Sequence, residues 1–340
     1  MKTFKRHIAI LLVLVTFCLS PLSAYAETAD SPVPKVTLVY HSGMTVSVPV
    51  KQMLAETKGT IGLLRNDSMG DDDAGCDMSI VYSAIDYAVI HGTARINVPL
   101  TDEQFRAVRK WKLDGFACVL YPGLRSFDVQ MNGGDGTCQI RLGFFPYPDR
   151  TGYMTGNEYD EMIAGRICTG RDRALSIVSS VPAGCKRELK TMEYFYNYVT
   201  YYVKYHDGEY YTAANEVCLL YDALIKNDTV CAGFAYSLAY LCELAGINAQ
   251  YVVVGSSDNR GSHAVVIAHV LGRDFWFDPT YDAGDGPSGF DWFGRSDAYW
   301  RQHHDCPNVY YGRELYPACE MELAQPKGYW DFSSMAYHLI

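Results

Sequence analysis

Residues 227–247 read NDTVCAGFAYSLAYLCELAGI, and residues 263–280 read HAVVIAHVLGRDFWFDPT. The first stretch carries helix signals at both ends. Asp228 or Thr229 is a good N-cap, Phe234, Leu238, Leu241 and Ala245 recur at helical spacing, and Gly246 supplies the stop. This predicts a buried helix with Cys231 in its first turn, among backbone N–H groups at the positive end of the helix dipole. A thiolate is stabilised in such a position, although most cysteines simply fill space in a core. Cys242, eleven residues on and about three turns deeper, reads as that ordinary kind.

The second stretch alternates like a hairpin. Gln250–Val254 reads as a strand before it, then His263–Leu271 and Asp274–Asp278 as two strands joined at Gly272-Arg273. If Leu271 faces Asp274, then Ile267 opposes Asp278. The two-residue period puts His263, Val265, Ile267 and Asp278 on one face. His269 shares that face and is the rival base. A nucleophilic thiol needs a base, and the base needs an acceptor to orient it. Cysteine, histidine and aspartate in this order, on a helix start and two successive strands, supply all three roles.

Outward from this centre, Leu189, Met192, Phe195, Tyr196, Val199, Tyr202 and Val203 mark an amphipathic helix over 186–205. His206-Asp207-Gly208 ends it, and a second short helical segment covers about 214–225. A domain boundary is expected near 185, dividing an accessory region, 27–185, from a chemistry-bearing domain, 186–340. In the accessory region, 35–41 and 45–50 read as strands, and 79–91 and 102–112 as helices, with Thr101 as N-cap of the latter. Short strands are expected in 116–145 around a turn at Asn132–Gly136. The Asp-rich segment from Asn66 to Asp77 lacks the spacing of a calcium loop and reads as solvated loop.

Residues 191–300 closely resemble the transglutaminase-like domain, a papain-like cysteine fold. The resemblance is carried by Tyr221, Cys231-Ala-Gly-Phe-Ala235, Gly246-Ile247, His263-Ala264 and Asp278-Pro279-Thr280. It implies an α+β core, with the cysteine helix packed on an antiparallel sheet that bears the histidine and aspartate. It also implies Cys231 as nucleophile, His263 as general base, Asp278 as the group holding the imidazole, and Tyr221 as an oxyanion candidate. The reaction class it implies is attack on a carboxamide carbonyl to give a thioester, resolved by water or a second amine. Val265 stands where the family usually has tryptophan, a departure that affects packing beside the base. Arg295–Asp297 and His304 resemble a weaker downstream motif, and 79–190 resembles the accessory segment of exported bacterial members. The expected substrate is a protein or peptide, with cell-envelope peptide in view, and no cofactor or metal is expected. The alternative is a catalytically silent binding module of the same fold.

Other chemistries find less support. His303-His304-Asp305-Cys306 holds ligand types, but adjacent side chains point apart. Asp282-x-x-Asp285-Gly286 is a poor calcium loop, and no GxSxG, Walker A or HExxH motif occurs. The chain has 340 residues, 49% of them apolar and 20% charged, enough for a sizeable core. A formal charge of −10 argues against nucleic acid or an anionic membrane surface as the main partner.

Lys2, Lys5 and Arg6, the apolar run Ile8–Leu19 and Ala24-Tyr25-Ala26 have the layout of a signal peptide, with cleavage expected after Ala26. The protein is therefore expected to be secreted or held in the cell envelope, with no membrane span after cleavage. Ten cysteines follow the leader, none in C-x-x-C spacing. Cys231 and Cys242 are expected as thiols, with up to four disulfides among the others and Cys306–Cys319 the first local pair.

Overall fold

The computed structural model describes residues 33–57, 79–110, 124–132, 136–144, 147–149, 152–154, 157–206, 220–255, 262–283, 289–309 and 316–339. The leader-like segment, the Asp-rich segment, and Cys76, Cys118 and Cys218 lie outside them. From Lys35 to Ile340 the chain forms one compact unit of mixed helix and sheet.

Its first part contains strands β1 (Lys35–Val39) and β2 (Thr45–Pro49), helices α1 (Val50–Glu56) and α2 (Ser79–Ile90), strand β3 (Arg95–Val98) and helix α3 (Asp102–Lys110). Strands β4 (Leu124–Met131), β5 (Cys138–Phe144), β6 (Tyr147–Asp149) and β7 (Gly152–Met154) follow, then the long helix α4 (Asn157–Ser179). An antiparallel sheet runs in the order β2-β1-β3-β5-β4. The Thr101 cap is present as a reciprocal box: Gln104 N–H donates to Thr101 Oγ1 at 3.1 Å, and Thr101 N–H donates to Gln104 Oε1 at 3.0 Å.

The second part begins with α5 (Glu188–Tyr202), β8 (Lys204–Tyr205), β9 (Asp228–Thr229) and α6 (Cys231–Leu244). Next come β10 (Ala249–Gly255), β11 (Ser262–Val270), β12 (Arg273–Phe277) and the single turn α7 (Pro279–Asp282). The chain closes with β13 (Phe293–Arg295), α8 (Asp297–His303), β14 (Asn308–Val309), β15 (Gly328–Asp331) and β16 (Ala336–Leu339). A second antiparallel sheet is ordered β13-β12-β11-β10-β14.

Burial explains the near-continuous apolar run of β11. Its even-numbered residues, Ala264, Val266, Ala268 and Val270, pack with Phe234, Leu238 and Leu241 of α6. Its odd-numbered Val265 and Ile267 enter a smaller cluster with Val252, Val254, Trp276 and Trp300 on the other face. A third cluster unites α1, α2 and the first sheet. Helix α4 belongs to two of these clusters: Tyr159, Ile163, Ala164 and Ile167 sit in the first-sheet core, and Ala174 and Ile177 in the α6 core.

Three expectations need correction. The N-cap of α6 is Val230, extended and without a side-chain cap, because Asp228 and Thr229 are taken up in β9, which pairs in parallel with β8. The β11–β12 register has Val270 facing Arg273 and His269 facing Asp274, so each strand is shifted by one residue from the expected pairing. Leu271 and Gly272 form the turn with φ of 54° and 78°, the two positive values that a tight type I′ hairpin requires. Finally, Cys306 and Cys319 are not bridged; both are thiols buried in the cluster around Trp276 and Trp300. Cys231, Cys242, Cys168 and Cys185 are also free thiols.

Candidate functional site

The register change brings the site together. In the expected pairing, the position opposite Asp278 lay four residues from His263; continuing the observed pairing past Phe277, it is Val265, two residues away. At about 3.3 Å per residue the gap falls from roughly 13 Å to roughly 7 Å. Past Phe277 the backbone bends, with Asp278 at φ −126° and ψ 89°, and Asp278 becomes the N-cap of α7. The side chains close the remainder: His263 Nε2 lies 2.7 Å from Asp278 Oδ2. Cys231 is near enough to the ring to raise the His263 pKa.

Cys231 is held at the first residue of α6 by a tight local fit. A Cβ on Gly233 would lie 1.9 Å from Thr229 Oγ1, so only glycine allows the buried Thr229 to sit under the first turn. Val230 carbonyl accepts the first helical N–H bonds, from Gly233 at 2.9 Å and Phe234 at 3.2 Å. The N–H groups of Cys231 and Ala232 therefore stand outside the helix ladder. At the far end, Gly246 adopts φ 80° and the Ile247 N–H returns to Cys242 carbonyl at 2.9 Å, the expected stop.

Electrostatics favour the charged pair. Burial pulls the His263 imidazole pKa down, but the Asp278 carboxylate and Cys231 more than reverse this and carry it to about 10. Burial alone would raise Asp278; the charge on His263 and the hydrogen bonds from His263 and His304 hold it at about 2. Both side chains are shielded, His263 at 10% exposure and Asp278 at 0%.

Asp278 is anchored from four directions. Oδ1 accepts Thr280 N–H at 2.9 Å and Tyr281 N–H at 3.3 Å, while Oδ2 faces His263 and also His304 Nε2, at 3.0 Å. Behind it, the Tyr196 hydroxyl donates to the Asp278 carbonyl at 2.9 Å and also meets Asp282. Burial pushes the Asp282 carboxyl up to about 7.

The other sequence candidates lie elsewhere. The Tyr221 ring sits between Arg166 and Lys226, at 5.8 and 5.6 Å, against the first-sheet core. His269 is at the turn end of β11, paired with Asp274 at 3.1 Å. Arg295 bonds Glu322 at 3.1 Å and lies over the Tyr299 ring, and Asp297 accepts the Trp276 indole N–H at 2.7 Å; both tie the last helix to the sheet. Beside His263, where the family usually places tryptophan at 265, Tyr281 supplies the aromatic contact, with ring centroids 5.1 Å apart.

His263, Asp278 and His304 also bring ligand-type atoms within 4.8 Å of one another. Their hydrogen bonding does not suit a metal. His304 Nδ1 accepts the Cys306 N–H at 2.9 Å, which assigns its ring proton to Nε2, the atom that would have to bind the ion.

No family model matches the chain, and no curated protein matches it. Among solved structures it is similar to "Crystal structure of a TGase", at 15% identity and a TM-score of 0.30, over 54% of this chain and 49% of that one. It is also similar to a "Putative Cysteine Protease from Cytophaga hutchinsonii", at 17% identity and a TM-score of 0.24, over 46% of this chain and 62% of that one. The chain spans about half and about three-fifths of the length of these two structures.

Proposed function

We propose that the protein is an exported thiol enzyme that cleaves or transfers amide bonds of a protein or peptide, with Cys231 as nucleophile, His263 as acid–base and Asp278 as the orienting carboxylate. The observation that carries this reading is the buried His263 Nε2–Asp278 contact at 2.7 Å, with Cys231 at the start of a helix acting on the same imidazole. The Cys231 thiolate attacks the carbonyl carbon of a carboxamide. The resulting oxyanion is met by the Cys231 N–H, which the helix does not use. Collapse breaks the C–N bond, and the His263 imidazolium gives its proton to the leaving amine, yielding a thioester. Water or a second amine, deprotonated by neutral His263, then releases the acyl group and restores the thiol. Asp278 stays ionised throughout and keeps the imidazole in the tautomer that faces the thiol.

The test is incubation of the pure protein with a casein-like acceptor, a labelled amine and purified peptidoglycan, read by mass spectrometry beside Cys231→Ala. Hydrolysed or amine-labelled products that vanish in the variant support the reading. Absence of product together with an unreactive Cys231 thiol favours the silent binding module.

A further inference from the structure

His304 is a fully buried imidazole that reaches the site through a hydrogen bond to Asp278 and a ring contact with His263, centroids 5.5 Å apart. Its hydrogen bonds leave one arrangement. Nδ1 accepts the Cys306 N–H at 2.9 Å, so the ring proton is on Nε2 and is donated to Asp278 Oδ2 at 3.0 Å. The ring cannot flip without losing both bonds. Trp300 stacks on it at 3.9 Å and 13°, Tyr281 at 4.7 Å and 6°, and the Trp292 indole closes an edge at 4.7 Å and 82°. The backbone is fixed too, because His304 N–H caps α8 at the Trp300 carbonyl, 2.9 Å away.

We infer that His304 is a positioning residue, a second imidazole that fixes Asp278 Oδ2 so that the same oxygen holds His263 Nε2 toward Cys231. This rests on the thiol-enzyme reading for its catalytic consequence. A carboxylate on a strand end can turn about its Cα–Cβ and Cβ–Cγ bonds. Thr280 and Tyr281 N–H hold one oxygen of Asp278, and His304 holds the other from the side away from the thiol. Without that donor, Oδ2 is free to swing, and its charge is concentrated on His263. Misplacement of about 1 Å in such a relay is enough for roughly a hundredfold loss of rate. The other titratable groups around Asp278 and His304 are Tyr196 and Asp282 behind, Tyr281 over the ring, and Asp305 and Cys306 at the rim.

The experiment compares His304→Phe with His304→Gln in the full-length protein. Phenylalanine keeps a ring in the aromatic stack and removes the donor; glutamine returns an N–H to Asp278 and loses the stack. Expected for His304→Phe are an upward shift of the His263 titration midpoint by NMR and a displaced pH profile for iodoacetamide labelling of Cys231. About a tenfold to hundredfold loss of kcat at little-changed KM is expected alongside. His304→Gln should recover most of each. A wild-type midpoint and labelling profile in His304→Phe would overturn the inference. Should that variant fail to fold, a long-range proton–nitrogen spectrum of the wild type decides: a His304 proton on Nδ1 overturns it. If the midpoint moves as expected while the wild type turns over no amide, the positioning role stands and the enzyme reading falls.

Discussion

At the turn end of the β11–β12 hairpin, His269 Nδ1 lies 3.1 Å from Asp274, with side chains 44% and 24% exposed. At the open end, His263 Nε2 lies 2.7 Å from Asp278, with side chains 10% and 0% exposed. The residue types and the strands are the same, and all four residues have the same parity across the ladder. The ends differ in what surrounds them. His269 and Asp274 are a directly facing pair at a two-residue turn, within reach of water, where such pairs contribute little. Asp278 lies past the last paired residue, in a bend stapled by backbone N–H groups and a second imidazole, and Cys231 at a helix start acts on the same His263 ring. A histidine and a carboxylate on a common face are thus cheap for a hairpin to make. Burial and a second imidazole on the carboxylate are what separate the pair at the open end from the pair at the turn.

That contrast can be broken in measurable ways. The largest effect is expected at the thiol: Cys231→Ala should abolish turnover and labelling by iodoacetamide while leaving the melting transition in place. Cys242, buried with its sulfur 3.1 Å from Met192 and its thiol pKa pushed well up, should remain unlabelled until the protein unfolds. Next comes the base. His263→Ala should lower kcat by about 10²–10⁴-fold, the usual span for acid–base groups, whereas His269→Ala should leave it within about twofold. The reverse ranking would transfer the role to the turn end of the hairpin.

Stability should follow the same order. Asp278→Ala leaves two imidazoles and two helix N–H groups without their acceptor, and urea unfolding should register a loss of about 3–5 kcal/mol. Asp274→Ala, at the exposed end, should cost at most about 1 kcal/mol. Equal losses would mean that burial does not distinguish the pairs. A further effect is one of pH. A histidine raised from 6.5 to about 10 adds stability that is complete below about pH 6.5 and is lost as pH climbs to about 10. Unfolding measured across that window should show the decline in the wild type and a flatter course in His263→Gln. Asp282 and Glu243, both raised to about 7 by burial, lose their contributions in a lower window, from about pH 4 to 7.

The sequence disclosed the parts of the site that depend on local rules. Gly246 and the 3.6-residue period announced α6, and a period of two puts His263 and Asp278 on one face in both the expected and the observed two-residue-turn registers. The register itself was hidden, since nothing in a leucine advertises the positive φ that Leu271 adopts. His304 was legible as a motif and not as a contact: it meets Asp278 across 26 residues, through the way α8 folds back over the sheet. Helix α4 was missed because its apolar stripe is interrupted by Gly165 and Gly170. The second has a tertiary cause, as a Cβ there would lie 2.7 Å from the Tyr221 backbone nitrogen. The expected Cys306–Cys319 bridge failed for a related reason. Counting thiols and exporting the chain on paper says nothing about whether two sulfurs end in an apolar core, as those of Cys306 and Cys319 do.

Helix α4 has one further consequence, for how the molecule can be divided. Its first half is wall for the α1–α2 core and its second half is wall for the core beneath Cys231. A fragment begun at residue 186 would bare the surface that Ala174, Ile177 and Val181 cover, and a fragment begun at 157 would carry Tyr159, Ile163 and Ile167 into water. The seam expected near 185 lies in a short connection between two helices whose apolar faces meet in one core. Neither half can be lifted out with a finished surface, so the helix start that carries the thiol inherits its foundation from residues far upstream of any catalytic motif.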